Sequence, residues 1–201
     1  GLVRSPMGVF QSLYEPRAKK RWSMPKEEDI IGCFIAAIDP FFLEETQATA
    51  ELCVKYNKSY VTIDSKHDSY LHQHCAVNVV SKECTESDGY KDKSIEEIYE
   101  LLVASTDGLV IITSGENDMI YGRKGQLMKR MKPFSVDVKS TLGAGDTFKA
   151  GCVYGLLHGM EDDELVRFAS ACSAIAISRF PLPLNPPTLL EVNSLLENTK
   201  K

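Results

Sequence analysis

Four short apolar runs recur along this chain, and each closes on a polar residue. Ile30 to Ile38 ends at Asp39-Pro40, Tyr60 to Ile63 at Asp64, Cys75 to Val80 at Ser81, and Leu109 to Ile112 at Thr113. Strands that are apolar without alternation are buried on both faces, which happens when helices cover both sides of a parallel sheet. Between the runs, Glu44 to Asn57 and Ile95 to Val103 repeat their apolar residues at helical spacing. Strand, helix and strand in succession are βαβ units joined by right-handed crossovers. The expectation is a three-layer, Rossmann-like α/β fold, a mostly parallel sheet flanked by helices, in a single domain over residues 1–201 with 1–28 irregular or an edge hairpin. The polar closures share one edge of such a sheet, the edge where open α/β folds bind ligands.

After Thr113 the rhythm changes. Met119 to Tyr121 and Leu127 to Lys129, separated by Gly122-Arg123-Lys124-Gly125, predict an antiparallel hairpin at the sheet border. Phe134 to Val138 reads as a further strand. Asp162 to Ser178 predicts an Ala/Ser-rich helix, followed by a proline-rich turn and a last helix from Thr188 to Glu197.

The chemistry concentrates in Ser140-Thr141-Leu142-Gly143-Ala144-Gly145-Asp146-Thr147-Phe148, a glycine-lined turn running into a helix predicted over 147–158. Backbone N–H groups at a helix start have no intrahelical partner and sit at the positive end of the dipole. Gly143, Ala144 and Gly145 can therefore direct donors at a phosphoryl group with no side chain in the way. Asp146 beside them is placed to take a proton from an attacking hydroxyl. A bare helix cap would use the same residue types, so the turn alone does not decide between the two roles.

A length of 201 residues, 43% hydrophobic and 25% charged, suffices for a sizeable core. A net charge of -5, with Arg17-Ala18-Lys19-Lys20-Arg21 as the one basic cluster, speaks against a nucleic-acid surface. The six cysteines form no Cys-x-x-Cys pair and fall in apolar or helical patterns, as reduced thiols do. His72 and His74 lack further ligands at metal spacing, so no metal cage is assigned to them. No apolar run is long enough for a membrane span, and the first residues lack a signal peptide's apolar core. These features together imply a cytoplasmic protein.

The motif from Ser140 to Phe148 resembles the C-terminal signature of the PfkB (ribokinase-like) carbohydrate kinases, Asp-Thr-x-Gly-Ala-Gly-Asp-x-Phe. Ile111-Ile112-Thr113-Ser114-Gly115-Glu116 is similar to that family's Val-Thr-x-Gly-Glu segment, and Phe168 to Ala174 to its small-residue helix beside the adenine pocket. The resemblance covers about Ile30 to Leu196 and corresponds to the C-terminal two-thirds of such a kinase. It implies ATP and Mg²⁺ as cofactors, a small-molecule sugar as acceptor, and Asp146 as the catalytic base. It further implies Gly143, Ala144 and Gly145 as the anion hole, and Ser81, Thr113, Gly115 and Ser170 as nucleotide contacts.

The resemblance has gaps. Ser140 stands where the family commonly carries an Asp that helps hold a monovalent cation, so potassium activation is not implied. Ser81-Lys82-Glu83-Cys84 stands where the family has Asn-x-x-Glu; Cys84 is too soft a ligand for Mg²⁺, leaving Glu83 or Glu86 in a shifted register. The family's Gly-Gly sugar motif, first strands and β-sheet lid have no counterpart, so a truncated form is expected. Its unpaired sheet edge would favour association, for instance a homodimer. Two other readings remain: a catalytically inactive nucleotide-binding remnant or interaction module, and a kinase for a nucleoside or vitamin precursor.

Overall fold

A computed structural model describes residues 23–199. The basic cluster at 17–21 and most of the expected irregular stretch 1–28 lie outside these residues. One six-stranded sheet organises the rest: β1 (Ile35–Ile38), β2 (Ser59–Ile63), β3 (Val77–Val80), β4 (Leu109–Ser114), β5 (Asn117–Gly122) and β6 (Lys129–Met131), in that order across the sheet. The first four are parallel, and β5 and β6 are antiparallel at the border. The helices are α1 (Glu27–Gly32), α2 (Leu43–Lys55), α3 (Tyr70–Gln73), α4 (Lys82–Thr85), α5 (Ile95–Ala104), α6 (Ala144–Leu157), α7 (Asp162–Ile177) and α8 (Leu189–Asn198). The three layers are those the sequence predicts, and so is an antiparallel hairpin at the border, though its second strand runs over Lys129–Met131 rather than Leu127 to Lys129.

Side chains alternate across each strand, and the core divides accordingly. Val61, Ile63, Val77, Val79, Leu109 and Ile111 face Phe148 and Cys152 of α6 and Leu165, Val166 and Ala169 of α7. On the other face Val80, Val110 and Ile112 pack on Ile98, Tyr99, Leu102 and Val103 of α5, while Ile38 and Tyr60 pack on Ala50 and Cys53 of α2. Helices α6 and α7 lie so close that a Cβ on Gly151 would stand 2.7 Å from the Ala169 Cα, which explains a glycine in mid-helix there.

Two local expectations need correction. The apolar run Ile30 to Ile38 is not one strand. Its first residues belong to α1, whose start carries Glu27, Glu28 and Asp29, and the Asp29 carboxylate accepts from the Lys26 N–H at 3.2 Å. Acidic residues at a helix start complement its dipole, and they settle the helix against the β propensity of the isoleucines. Phe134 to Val138 is not a strand either. β6 ends at Met131, and the loop is tied instead to α7, where the Lys139 and Ser140 N–H groups both donate to the Ile177 carbonyl at 2.8 and 3.2 Å.

Among the described residues β1 is paired on one side, with Phe34 and Ala37 exposed at that edge. The six cysteines are free thiols. Burial pushes Cys53 and Cys172 up to about 11 and Cys75 up to about 12, which keeps them protonated and inert. His72 is fully buried, and both ring nitrogens are engaged. Nε2 meets the Leu102 carbonyl at 2.9 Å and Nδ1 meets the Asn78 amide at 2.8 Å. Burial lowers its pKa, so the ring is neutral, and it serves the core network rather than a metal. No helix among the described residues is long and apolar enough to cross a membrane.

Candidate active site at the carboxyl edge of the sheet

Because β1 to β4 are parallel, Asp39, Asp64, Ser81 and Thr113 stand at one edge, and the start of α6 reaches the same edge. Helix α6 begins two residues before Asp146, earlier than predicted, so Ala144, Gly145 and Asp146 form its first turn. Gly143 precedes it at φ 82, a left-handed conformation that a side chain would strain, and a Cβ there would also lie 2.7 Å from Leu182 Cδ2. Gly145 is needed for closeness: its missing Cβ would stand 3.0 Å from Cδ1 of Ile63, the last residue of β2.

The turn's donors are divided. The Ala144 N–H donates to the Thr141 carbonyl at 3.1 Å, and the Thr147 N–H and hydroxyl both close on the Gly143 carbonyl, at 2.9 and 2.8 Å. No acceptor among the described residues takes the N–H of Gly143, Gly145 or Asp146. The anion cradle expected from Gly143, Ala144 and Gly145 thus has its free donors on Gly143, Gly145 and Asp146, with Ala144 already committed. The Asp146 side chain is 75% exposed and open to a reactant.

Of the nucleotide contacts expected from sequence, Ser81, Thr113 and Gly115 lie on the same edge and Ser170 does not. Ser81 caps α4: its hydroxyl accepts from the Cys84 N–H at 3.2 Å, and its own N–H donates to Asp64 Oδ1 at 2.6 Å. The Thr113 hydroxyl reaches the Val80 carbonyl at 3.4 Å, and Gly115 makes the β4–β5 turn at φ 64 with open space around it. A cleft of about 480 Å³ begins beside them, walled by Lys82, Glu86, Ser114, Asn117 and Arg130. Ser170 is only 4% exposed, inside the helix packing; the α7 residue that reaches the turn is Ser173, whose hydroxyl donates to the Ala144 carbonyl at 3.1 Å.

Two further residues belong to this edge. Asp64 adopts a left-handed backbone at φ 50 while its N–H donates to the Val79 carbonyl at 2.8 Å. Strain of that kind in a residue other than glycine often marks a working position. Burial raises its carboxyl pKa, and the Ser81 N–H and hydroxyl partly offset this. Lys149, which with Lys139 flanks the motif, reads in the sequence as a solvent-facing charge or a phosphate contact and is instead buried, with its ammonium 2.5 Å from Asp39 Oδ1 and 3.8 Å from Asp146 Oδ1. The available signal is its spacing, three residues before the buried Cys152 on the apolar side of α6. Cys84 is half-buried, and burial pushes its thiol up to about 12.

An open, mainly parallel sheet with unspent helix-start amides and an exposed aspartate at its carboxyl edge is a frame able to receive an anionic ligand such as a phosphoryl group. Comparison with known proteins makes this specific: residues 29–186 match the pfkB family carbohydrate kinase model, and the chain belongs to that family. It is 33% identical over 103 residues to a 5-dehydro-2-deoxygluconokinase of Shouchella clausii, a match spanning 51% of this chain and 31% of that enzyme. Arabidopsis thaliana ribokinase, solved with ribose and ATP, superposes with a TM-score of 0.76 at 18% identity, over 89% of this chain and 62% of that one. A Burkholderia thailandensis nucleoside kinase, solved with inosine, superposes at 0.69 and 18% identity, over 84% and 57%. The chain thus spans about a third of the length of the curated relative and under two-thirds of each solved structure.

Proposed function

We propose that the complete protein transfers the γ-phosphoryl group of ATP to a hydroxyl of a sugar or sugar acid. The observation that carries this reading is the pairing, in one helical turn, of unspent N–H donors on Gly145 and Asp146 with an exposed carboxylate on Asp146. The donors stabilise charge spreading over the phosphoryl oxygens, and the carboxylate accepts the proton as the hydroxyl oxygen attacks in line. Ser81, Thr113 and Gly115, beside the cleft, hold the nucleotide, and Ser170 shapes the helix behind it. Mg²⁺, when bound with ATP, neutralises phosphate charge. Asp64 and Glu83, close enough to influence one another, are hard oxygen donors able to hold it through water. The free, mostly buried thiols suit a reducing compartment such as the cytoplasm, and the β1 edge, unpaired on one side among the described residues, favours self-association there.

The likeness to the deoxygluconokinase favours a sugar acid as acceptor, and the fold shared with the inosine-bound kinase supports a nucleoside as the second reading. An ADP-release assay on the complete translation product, with MgATP and 5-dehydro-2-deoxygluconate, D-ribose or inosine, separates them. Turnover on either of the first two is expected. Turnover on inosine alone would favour the nucleoside reading. ATP binding with no ADP release on any acceptor would mean a nucleotide-binding module without catalysis.

A further inference from the structure

Lys149 stands among three carboxylates, and two of them are within ion-pairing distance. Its stem is packed in the core between α6 and the sheet, and its side chain is 9% exposed. A buried ammonium must be paired. Asp39, at the end of β1 and 110 residues earlier in the chain, supplies the close partner at 2.5 Å. A strap tying α6 to β1 would need nothing more. The ammonium also lies 3.8 Å from Oδ1 of Asp146, one turn up the helix, and Asp64 feels its charge from β2.

We infer that Lys149, held by Asp39, is a positioning residue for Asp146, an inference that rests on the phosphotransferase reading above. The Asp146 carboxylate is largely exposed, and among the described residues its one charged partner is Lys149. Unrestrained, a side chain so exposed samples several staggered rotamers. The fixed ammonium draws Oδ1 toward the protein and leaves Oδ2 toward the acceptor hydroxyl. Asp39 matters because it takes the short contact: at 3.8 Å the ammonium orients Asp146 without occupying it, so the carboxylate keeps its capacity to accept a proton. Side chains on a helix lean toward its N-terminus, which is why a lysine three residues after the aspartate can reach it.

The test uses the complete protein with MgATP and either 5-dehydro-2-deoxygluconate or D-ribose, comparing parent, Lys149→Met, Lys149→Arg and the double variant Lys149→Met with Asp39→Asn. Turnover by the parent is the check on the phosphotransferase reading, and the ratio of variant to parent is the check on Lys149. Lys149→Met is expected to lower kcat about 100-fold with the calorimetric Kd for MgATP within threefold of parent, and Lys149→Arg to recover part of the loss. The double variant removes the buried ammonium and its partly exposed partner together, so no unpaired charge is left and it keeps the fold if the single variant does not. It is expected to melt near the parent and still show the low kcat. Parent-like kcat in the double variant would show that Lys149 serves only as the counter-charge of Asp39, and parent-like kcat in Lys149→Met would overturn the inference outright. A parent that binds MgATP but releases no ADP would remove the reading beneath it, and the inference with it.

Discussion

Replacing Asp146 by Asn is expected to lower phosphoryl transfer by about 10²–10⁴-fold while MgATP binds with nearly parental affinity. Asn matches Asp in shape, so the first turn of α6, the left-handed Gly143 and the free N–H groups of Gly145 and Asp146 all persist. What disappears is the ability to accept a proton. The side chain is mostly exposed, so the change leaves no buried group stranded, and the fold is expected to be indifferent to it. Removing a negative charge beside the phosphates also relieves repulsion, so any change in nucleotide affinity should be toward tighter binding. ADP release and calorimetry on the same preparation check both halves. Equal turnover of mutant and parent would end the assignment of Asp146 as the base.

The second large effect concerns the helix that carries the site. Phe148 is 3% exposed and sits where α6 meets Val61 and Ile63 of β2. Truncating it to Ala removes a buried ring at a place walled by β-branched strand residues, which cannot collapse to fill the void. The expected loss is about 3–5 kcal/mol, or a melting temperature lower by roughly 10 °C for a chain of this size. Because Phe148 lies two residues beyond Asp146, loosening it also frees the turn, so weaker MgATP binding should accompany the lower stability. Phe148→Leu keeps most of the apolar volume and should cost far less. Urea unfolding followed by circular dichroism measures it. A loss under about 1 kcal/mol for Phe148→Ala would show that the ring does not anchor α6.

Much of this architecture can be read from residues. The parallel sheet is legible because Val77 to Val80 and Leu109 to Ile112 are apolar without alternation, and the hairpin because Gly122 and Gly125 punctuate the run between β5 and β6. The turn at Gly143 to Asp146 is legible as a helix start, because glycine and alanine lead into an apolar helix, while its chemical role is not, because a bare cap uses the same residue types. Distant partners are not legible. Lys149 takes its role from Asp39, which no local pattern connects to it. Ser173, rather than Ser170, reaches the Ala144 carbonyl because of the crossing of α6 and α7, set by Gly151 against Ala169. Asp64 looks like any strand-end aspartate, and its left-handed backbone and its bond from the Ser81 N–H emerge only once β2 and β3 are side by side. The strand misread at Phe134 to Val138 shows the converse: alternation suits a strand, but without a neighbour beyond β6 it stays a loop.

The account depends on the amides at the start of α6 meeting a terminal phosphate. Backbone amide NMR of the ¹⁵N-labelled complete protein, titrated with Mg²⁺ and the β,γ-imido analogue of ATP and then separately with AMP, observes those amides directly. The resonances of Gly145 and Asp146 should move strongly with the triphosphate analogue and little with AMP. Gly145 and Asp146 remaining still while the residues around Thr113 and Gly115 respond to both nucleotides would contradict it.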